Sequence, residues 1–360
     1  MQRVGILTSG GDAPGMNAAI WAVIKLAAAR DIEVVGIERG YDGLIDGAFR
    51  PLTRLTSADS LVPAKGLEWL AGSGGTLLGS SRCPRFLETE GRAEACRQMN
   101  EAGIDGLIVV GGNGSLTGAH ALAGECGVPV VGLPASIDND IGGTDTAIGV
   151  DTALNTIIEA CDRIADTARS HHRAFILEVM GRRSGFLAIA AAVAITADAV
   201  LVPESPKGEA EILDRVEQLV RRSFSPEREK RRVIVVKAEG VETSSISLAE
   251  ALERRLEDLT DVSVRAMVLG HIVRGGRPSY RDRMIAGRLA MGAVGGLLAG
   301  ANDVMIGWDS PVGEPTIDDN VFTVPLEVVM EETKAMLDGT SEVVRKRMAL
   351  FASVEGVLAL

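Results

Sequence analysis

Three short loops rich in glycine, serine, threonine and aspartate are the segments of this sequence best suited to chemistry. They are TSGGD at residues 8–12, GGNGS at 111–115 and PASIDND at 134–140. Each follows an aliphatic, strand-like run, and open parallel sheets bind ligands at the carboxyl ends of strands. Glycine lets backbone N–H groups approach phosphate oxygens, and a following helix N-terminus adds partial positive charge. One such cluster predicts only a turn, but three at strand ends predict a polyphosphate site.

The first loop is neither G-x-G-x-x-G nor G-x-x-x-x-G-K-[ST]. The dinucleotide-binding fingerprint and the Walker A loop are therefore both absent. A dehydrogenase interpretation loses its main support.

The third loop carries two carboxylates, Asp138 and Asp140, which alternate around Asn139. In extended backbone they would face the same side, where they could hold Mg²⁺ or accept a hydroxyl proton. An Asx turn is the structural alternative for this tripeptide. The polar segment GGTD at residues 142–145 extends the loop and favours a site.

A set of basic residues in the second half of the chain is suited to phosphate: Arg173, Arg182, Arg265, His271 and Arg274. Planar guanidinium groups bind phosphate through paired donors, and a chain of net charge −12 needs such a local cluster to hold a phosphorylated substrate. A histidine taken alone is more often structural than a base.

Composition limits the classes of function. With 360 residues the chain predicts about two domains, and its acidic balance argues against nucleic-acid or anionic-membrane partners. No signal peptide or membrane span is expected. The four cysteines form no C-x-x-C pair, so we expect neither a zinc site nor a disulfide, and a reducing cytoplasm as the location.

Short β-branched runs alternate with segments of helical period, which predicts an α/β fold with parallel sheets. Strands are predicted at residues 3–7, 33–37, 106–110, 129–133, 174–179, 200–202 and 233–237. The first helix should bury a face formed by Met16, Ala19, Ile20, Val23, Ile24 and Ala27. Three further helices are predicted with caps at Thr89, Asp151 and Ser245, ending near residues 102, 168 and 257.

Five ordered strings give the chain a family resemblance: LTSGGDAPGMNA, GGNGSLTGA, IDNDIGGTD, EVMGR and VLGHIVRGG. Together they resemble the phosphofructokinase family in its short bacterial form, from Val4 to about Pro311. The resemblance implies two Rossmann-like three-layer domains, with mainly parallel sheets and the active site in the cleft between them. The donor domain would comprise residues 1–149 plus about 273–324, and the sugar-phosphate domain residues 150–272 plus about 325–360.

The resemblance also implies roles for individual residues. The donor, ATP, would be bound by Gly11, Tyr41, Arg82, Cys83 and the stretch from Gly112 to Gly118, which includes Asn113, Gly114 and Ser115. Asp138 would take the proton from the 1-hydroxyl of fructose 6-phosphate, with Arg182, Gly11 and Ser136 as further catalytic residues. Asp140, with Asn113, would support Mg²⁺.

Sugar-phosphate contacts are implied for a second set, to which Ser136, Asp138 and Asp140 also belong: Met180, Gly181, Arg182, Glu239, His271 and Arg274. Arg173 and Arg265 would reach in from a neighbouring subunit, which implies a homotetramer. The implied reaction is the glycolytic transfer of the γ-phosphoryl group of ATP to fructose 6-phosphate. Such a transfer needs alignment and charge compensation more than covalent chemistry.

Two departures from the family pattern affect catalysis. Asn113 stands where the family usually has an aspartate associated with magnesium. A charged hydrogen bond contributes about 1.5 to 3 kcal/mol, so metal affinity would fall without loss of all activity. Ser136 replaces a threonine and keeps the hydroxyl group.

A third departure affects regulation. Trp21 and Lys25 stand where bacterial allosteric members have two phosphate-binding arginines, and Ala165 replaces another, whereas Arg54 and Asp198 are retained. We therefore expect the usual effector control to be weakened or altered.

The choice of donor depends on two positions. Pyrophosphate-using relatives typically carry aspartate and lysine where this chain has Gly114 and Ala135. Both residues favour ATP, with transfer from pyrophosphate as the alternative. A weakly active or non-catalytic sugar-phosphate sensor is the other alternative, because of Asn113.

Overall fold

The computed structural model describes residues 1–228, 230–308, 314–315, 320–346 and 348–349. Its α-helices are α1 (Met16–Ala28), α2 (Gly40–Ile45), α3 (Thr89–Glu101), α4 (Asn113–Glu125), α5 (Val150–Ser170), α6 (Phe186–Ala194), α7 (Glu209–Ser223), α8 (Ser245–Arg255), α9 (Tyr280–Leu298) and α10 (Leu326–Leu337). Within these residues, no helix combines the length and the apolar character needed to span a membrane.

The strands are β1 (Arg3–Ser9), β2 (Glu33–Ile37), β3 (Phe49–Pro51), β4 (Thr53–Leu55), β5 (Leu61–Pro63), β6 (Gly106–Gly111), β7 (Val130–Pro134), β8 (Arg173–Val179), β9 (Ala199–Leu201), β10 (Arg232–Ala238), β11 (Ser263–Val268), β12 (Val304–Trp308), β13 (Glu314–Pro315) and β14 (Val321–Pro325). They alternate with the helices along the chain. The α/β class with mainly parallel sheets is therefore confirmed.

The first compact unit comprises residues 1–152 and 274–335. Its sheet has the order β13-β14-β12-β7-β6-β1-β2-β3, and the five central strands, β12 to β2, are parallel. The chain leaves β1 for β2 on one side and returns to β6 on the other. This reversal is a topological switch point, the place where open α/β sheets bind ligands.

The second compact unit comprises residues 153–273 and 336–360. Residues 350–360 lie outside the described residues, and so does Pro311, where the family resemblance ends. Its sheet is entirely parallel, in the order β11-β8-β10-β9. Side chains from β8 to β11 and from helices α7 and α8 form its core. The amide of Gly142 donates to the hydroxyl of Thr333 on α10 at 2.9 Å, and the first unit includes α10 up to Ala335.

Local sequence explains the first β-α unit. Every residue of β1 after Arg3 is buried, as expected of a strand covered on both faces. All six residues predicted for the apolar face of α1 are buried. Gly15, at φ 115°, provides the backbone turn from which α1 starts.

The seven predicted strands are confirmed to within two residues at each end. The predicted helix caps were wrong by one or two residues. Glu88 precedes α3, the side chain of Ser244 caps α8 by accepting from the amide of Ser247 at 3.4 Å, and Asp151 lies inside the first turn of α5. The strands β3 to β5 and β11 to β14 were not predicted.

The expectation that the chain has no disulfide was wrong. Cys96 on α3 and Cys126, directly after α4, form one, with Cα atoms 5.0 Å apart. An ion pair joins the same two helices, in which Nε of Arg92 donates to both carboxylate oxygens of Glu125. Spacing along the chain gave no sign of the pair, because the two cysteines meet only through helix packing.

Candidate active site

The three predicted loops lie side by side at the carboxyl edge of the first sheet. A Cβ atom placed on Gly10 would lie 3.3 Å from the hydroxyl oxygen of Ser115, so the first and second loops are in contact. A Cβ atom on Gly112 would lie 3.8 Å from that of Ser136. The first two loops follow β1 and β6, the strands at the switch point, and α4 begins directly after Gly112. The structure therefore places a helix N-terminus, suited to anions, at this edge.

The predicted extended backbone around Asn139 was wrong, because this residue has φ 48° and the chain turns there. Asn139 is 2% exposed, and its side chain fixes the loop. Its amide nitrogen donates to the carbonyl of Asp145 at 3.0 Å, and its amide oxygen accepts from the backbone N–H of Ala147 at 3.0 Å. The amide of Asp138 donates to the hydroxyl of Ser136 at 3.3 Å. Ser136 thus forms a serine-type turn with Asp138, which is 5% exposed.

Asn113 joins the second loop to the third. Its amide nitrogen donates to the carbonyl oxygen of Asp140 at 3.3 Å, and its amide oxygen accepts from the hydroxyl of Thr333 at 3.3 Å. Thr333 in turn accepts from the amide of Gly142 at 2.9 Å. An uncharged amide is needed here, since aspartate could not donate to the carbonyl of Asp140.

The side chains at this edge of the sheet supply few ligands of their own for Mg²⁺. Among the described residues, no three histidine, cysteine, aspartate or glutamate side chains converge in a way that could hold a metal ion. Mg²⁺ usually keeps several waters and binds through one or two carboxylates plus substrate phosphates. The half-buried Asp140 beside the N-terminus of α4 fits that mode of binding, in which phosphates supply the remaining oxygens.

Tyr41 lies beside the second loop but is buried. Its hydroxyl donates to the carbonyl of Ser115 at 2.5 Å, and Phe86 stacks on its ring at 3.9 Å. A Cβ atom on Gly118 would lie 2.8 Å from the same ring, so a glycine is required there. Burial raises the pKa of the Tyr41 hydroxyl well above its ordinary value. The phenol is therefore neutral, and its predicted contact with a nucleotide stays a prediction.

Two further predicted donor-binding residues lie next to this cluster. Arg82 is exposed, and Cys83 is half-buried. Burial, followed by its hydrogen bond to the Asp42 carboxylate, raises the pKa of the Cys83 thiol to about 11. That hydrogen bond in turn is the main factor lowering the pKa of Asp42. Cys83 is thus a protonated hydrogen-bond donor at neutral pH.

Arg274 lies against the first loop. Its Nη1 donates to the carbonyl of Asp12 at 3.3 Å, and its Nη2 lies 4.0 Å from a carboxylate oxygen of Asp138. A Cβ atom on Gly11 would lie 2.9 Å from Nη1 of Arg274. The predicted pattern assigned Arg274 to the sugar phosphate; in this structure its contacts are with the donor loop and the proposed base.

In the second unit, the predicted residues Met180, Gly181, Arg182 and Glu239 meet at the carboxyl ends of β8 and β10. The amides of Gly181 and Arg182 donate to one carboxylate oxygen of Glu239, at 3.2 and 2.7 Å. A Cβ atom on Gly181 would lie 2.4 Å from the carbonyl of Ser184, which explains the glycine. Arg182 has φ 51°, a left-handed conformation that the neighbouring contacts must maintain.

Three other predicted residues, Arg173, Arg265 and His271, make none of these contacts. Arg173 opens β8 and donates to Ser263 at 3.2 Å, whereas Met180 follows the opposite end of that strand, roughly 20 Å away at 3.3 Å per residue. Arg265, on the neighbouring strand β11, pairs with Glu253 of α8. His271 is exposed in a short 3₁₀ helix. Within one chain, Arg173 and Arg265 therefore lie apart from Arg182.

Sequence reasoning missed Asp282, which is fully buried at the start of α9. Its carboxylate accepts from the amides of Gly149 and Thr152, at 2.9 and 2.8 Å, and so anchors the start of α5. Burial raises the pKa of Asp282. The pattern Ser279-x-x-Asp282, a helix-capping motif, was the available signal.

The resemblance assigns effector binding to the positions of Trp21, Lys25 and Asp198, and the structure shows the contacts of these residues. Lys25 lies 6.0 Å from the ring centroid of Trp21 on α1. Asp198 is paired with Lys230 and accepts from the amide of Ile234 at 2.8 Å. Trp21 and Lys25 thus lack the two guanidinium groups that the resemblance implies for binding an effector phosphate.

Comparison with known proteins gives consistent matches. The sequence profile described as "Phosphofructokinase" matches residues 3–297. The "ATP-dependent 6-phosphofructokinase" of Thermotoga neapolitana is 46% identical over 306 residues, 85% of this chain and 89% of the relative. The "ATP-dependent 6-phosphofructokinase 1" of Thermus thermophilus is 44% identical over 337 residues, 93% of this chain and 95% of the relative.

A solved structure agrees with these sequence matches. The phosphofructokinase of Saccharomyces cerevisiae superposes with a TM-score of 0.81 at 29% identity, covering 98% of this chain. This chain spans 50% of the yeast chain.

Proposed function

Because this chain belongs to the phosphofructokinase family, we propose that it is an ATP-dependent 6-phosphofructokinase. It transfers the γ-phosphoryl group of ATP to the 1-hydroxyl of fructose 6-phosphate, giving fructose 1,6-bisphosphate and ADP. The observation that carries the assignment is the meeting of two glycine-rich loops with the loop that carries Asp138, at the switch point of the first sheet.

In the proposed mechanism, Asp138 accepts the proton of the attacking 1-hydroxyl. Its backbone is held by Ser136 and by the side chain of Asn139, so the carboxylate needs little rearrangement before the reaction. The first loop and the N-terminus of α4 orient the triphosphate, and their aligned N–H dipoles offset its charge. Arg182 compensates charge on the transferred group.

Magnesium belongs to this proposal, with Asp140 as its protein ligand and the donor phosphates as the others. Mg²⁺ supplies charge neutralisation for the phosphoryl oxygens. Asn113 contributes through the position of Asp140, whose carbonyl it holds, and we propose no direct bond from Asn113 to the metal.

Fructose 6-phosphate is proposed to bind at the Met180–Arg182 turn and Glu239, with His271 and Arg274. Arg173 lies at the opposite end of β8 from Met180, and Arg265 lies opposite Phe175 in the strand register and is paired with Glu253. This supports a homotetramer in which neighbouring subunits contribute these two arginines. We place the enzyme in the cytoplasm, where its sugar-phosphate and nucleotide substrates occur.

The test is a coupled assay of fructose 6-phosphate phosphorylation with ATP, GTP and pyrophosphate as separate donors. We expect turnover with ATP and a loss of about 10²- to 10⁴-fold in kcat for Asp138→Ala. Turnover with pyrophosphate alone would reject the ATP assignment, and substrate binding without turnover would identify a sensor. Undiminished turnover in Asp138→Ala would reject the mechanism.

A separate variant tests the choice of phosphoryl donor. The surroundings of Gly114 leave open space for a side chain, so Gly114→Asp should fold. Its carboxylate at the start of α4 should raise the KM for ATP, because it repels the nucleotide phosphates. Gly124→Asp, on the same helix and also in open space, is the matched control and should leave the KM unchanged.

A further inference from the structure

Arg274 connects two of the three loops. It opens the second segment of the first unit, and its guanidinium lies between the carbonyl of Asp12 in the first loop and the carboxylate of Asp138 in the third. The exposed fractions of the Arg274 and Asp138 side chains are 15% and 7%, so solvent screens this pair little. Asn113 links the second loop to the third in the same region.

The geometry needs both the shape of arginine and the absence of a side chain at Gly11. The guanidinium is planar, with donors at two separate tips, so one side chain can contact a carbonyl and a carboxylate together. The ammonium group of lysine is a single point charge and cannot span both. Because Nη1 occupies the space 2.9 Å from a Cβ atom on Gly11, any larger residue there would displace it.

We propose that Arg274 is a positioning residue for the base: it ties the carboxylate of Asp138 to the donor loop, and Gly11 is a glycine so that this bridge can form. The inference rests on the proposed function, since it takes Asp138 as the proton acceptor. It differs from the family resemblance, which implied only a sugar-phosphate contact for Arg274.

The test is a double-mutant cycle of Gly11→Ala and Arg274→Ala, assayed with ATP and fructose 6-phosphate. Arg274→Ala should lower kcat about 100-fold, the scale expected when a reacting group is misplaced by about 1 Å. Its KM for fructose 6-phosphate should also rise, because Arg274 is proposed to bind the sugar phosphate as well, and the fall in kcat is the effect that reports the bridge. Millimolar guanidinium should restore part of the lost kcat, and Arg274→Lys should retain little of the wild-type rate.

Non-additive effects of Gly11→Ala and Arg274→Ala on kcat identify the bridge that Arg274 makes. Gly11→Ala should lower kcat in the wild-type background by displacing the guanidinium, and should have much less effect once Arg274 is alanine. Additive effects would overturn the proposal, as would a raised KM with unchanged kcat, which would make Arg274 a sugar-phosphate ligand only.

Two controls separate this inference from the proposed function. Thermal unfolding checks each variant, and if Arg274→Ala does not fold, Arg274→Lys takes its place in the cycle. If the wild-type protein does not phosphorylate fructose 6-phosphate, the proposed function fails. The same cycle measured by urea unfolding then reports the bridge, which additive changes in unfolding midpoint would refute.

Discussion

Single side chains determine whether the third loop can present its carboxylates. Asn139 stands between Asp138 and Asp140 and closes the loop on itself through its amide group. It also adopts the left-handed backbone conformation, which asparagine tolerates better than most residues. The residue between two reactive groups therefore sets the direction in which they point.

We predict separate costs for the amide group and the backbone of Asn139. Asn139→Ala removes both hydrogen bonds and places alanine at positive φ, and should lower the free energy of unfolding by about 2 to 4 kcal/mol. Asn139→Gly loses only the hydrogen bonds and should be less damaging by about 1 kcal/mol. Urea denaturation measures both, and equal losses would show that the backbone conformation contributes nothing.

Cys83 gives a pH prediction at the same scale. Its pKa of about 11 leaves roughly 0.1% thiolate at pH 8, so alkylation by iodoacetamide should be slow and should rise about tenfold per pH unit. Because the Asp42 carboxylate helps to raise this pKa, Asp42→Asn should accelerate the reaction at fixed pH. Mass spectrometry gives the rate. Asp46→Asn, which also removes a partner of Arg85, is the matched control and should have no such effect.

At the scale of secondary structure, two links hold α3 to α4, the helix that starts at the second loop. They are the Cys96–Cys126 disulfide and the Arg92–Glu125 ion pair. The ion pair is partly exposed and so contributes little to stability. The disulfide lies near the C-terminus of α4 and fixes the end that is remote from the loop.

The disulfide is predicted to stabilise the oxidised protein by constraining the unfolded chain. It closes a loop of 30 residues, for which the chain-entropy model gives about 3 to 4 kcal/mol. Cys96→Ser should therefore lower the urea midpoint of oxidised protein and should not change that of reduced protein. Cys83→Ser is the control, as Cys83 is not in a disulfide. Thiol titration of denatured, unreduced protein should find two thiols, and four would show that no disulfide forms.

Sequence patterns predicted the strands and helices that their own local sequence determines. Strands such as β1 and β10 are continuous apolar runs buried on both faces, and α1 shows its period directly. Strand β11 was not predicted because it lies at an edge, where Arg265, Met267 and Val268 are exposed and no buried pattern forms. Strand β14 pairs antiparallel with β12, a contact that depends on tertiary packing.

The candidate site could also be predicted only where the local sequence determines it. Residue type and position relative to strand ends placed Gly11, Asn113 and Asp138 in one region. The contacts of Arg274 were not predictable, because it reaches Asp138 across 136 positions of sequence. The sequence left the backbone at Asn139 open between an extended and a turned conformation, since alternation places two side chains on the same side only when the backbone is extended.

For the whole molecule, the separation of Arg173 and Arg265 from Arg182 gives the prediction that subunits share sites. Asp138→Ala and Arg265→Ala should each be poorly active alone, the first in kcat and the second in the KM for fructose 6-phosphate. Co-assembled, about a quarter of the sites in a 1:1 mixture would combine an intact Asp138 with an intact neighbouring Arg265.

Activity of the mixed protein, assayed at low fructose 6-phosphate after joint refolding, measures this complementation. Activity equal to the average of the two parents would contradict shared sites. Light scattering gives the companion measurement, which should find four chains of 37.8 kDa.

The order of strands in the first sheet has a consequence for synthesis on the ribosome. Strand β7 ends at Pro134, but its partner β12 begins at Val304, about 170 residues later. Synthesis proceeds at roughly 5 to 20 residues per second, so the edge of β7 that pairs with β12 stays unpaired for about 10 to 30 s. An unpaired strand of this kind readily joins other chains, so nascent protein should depend on a chaperone during that interval.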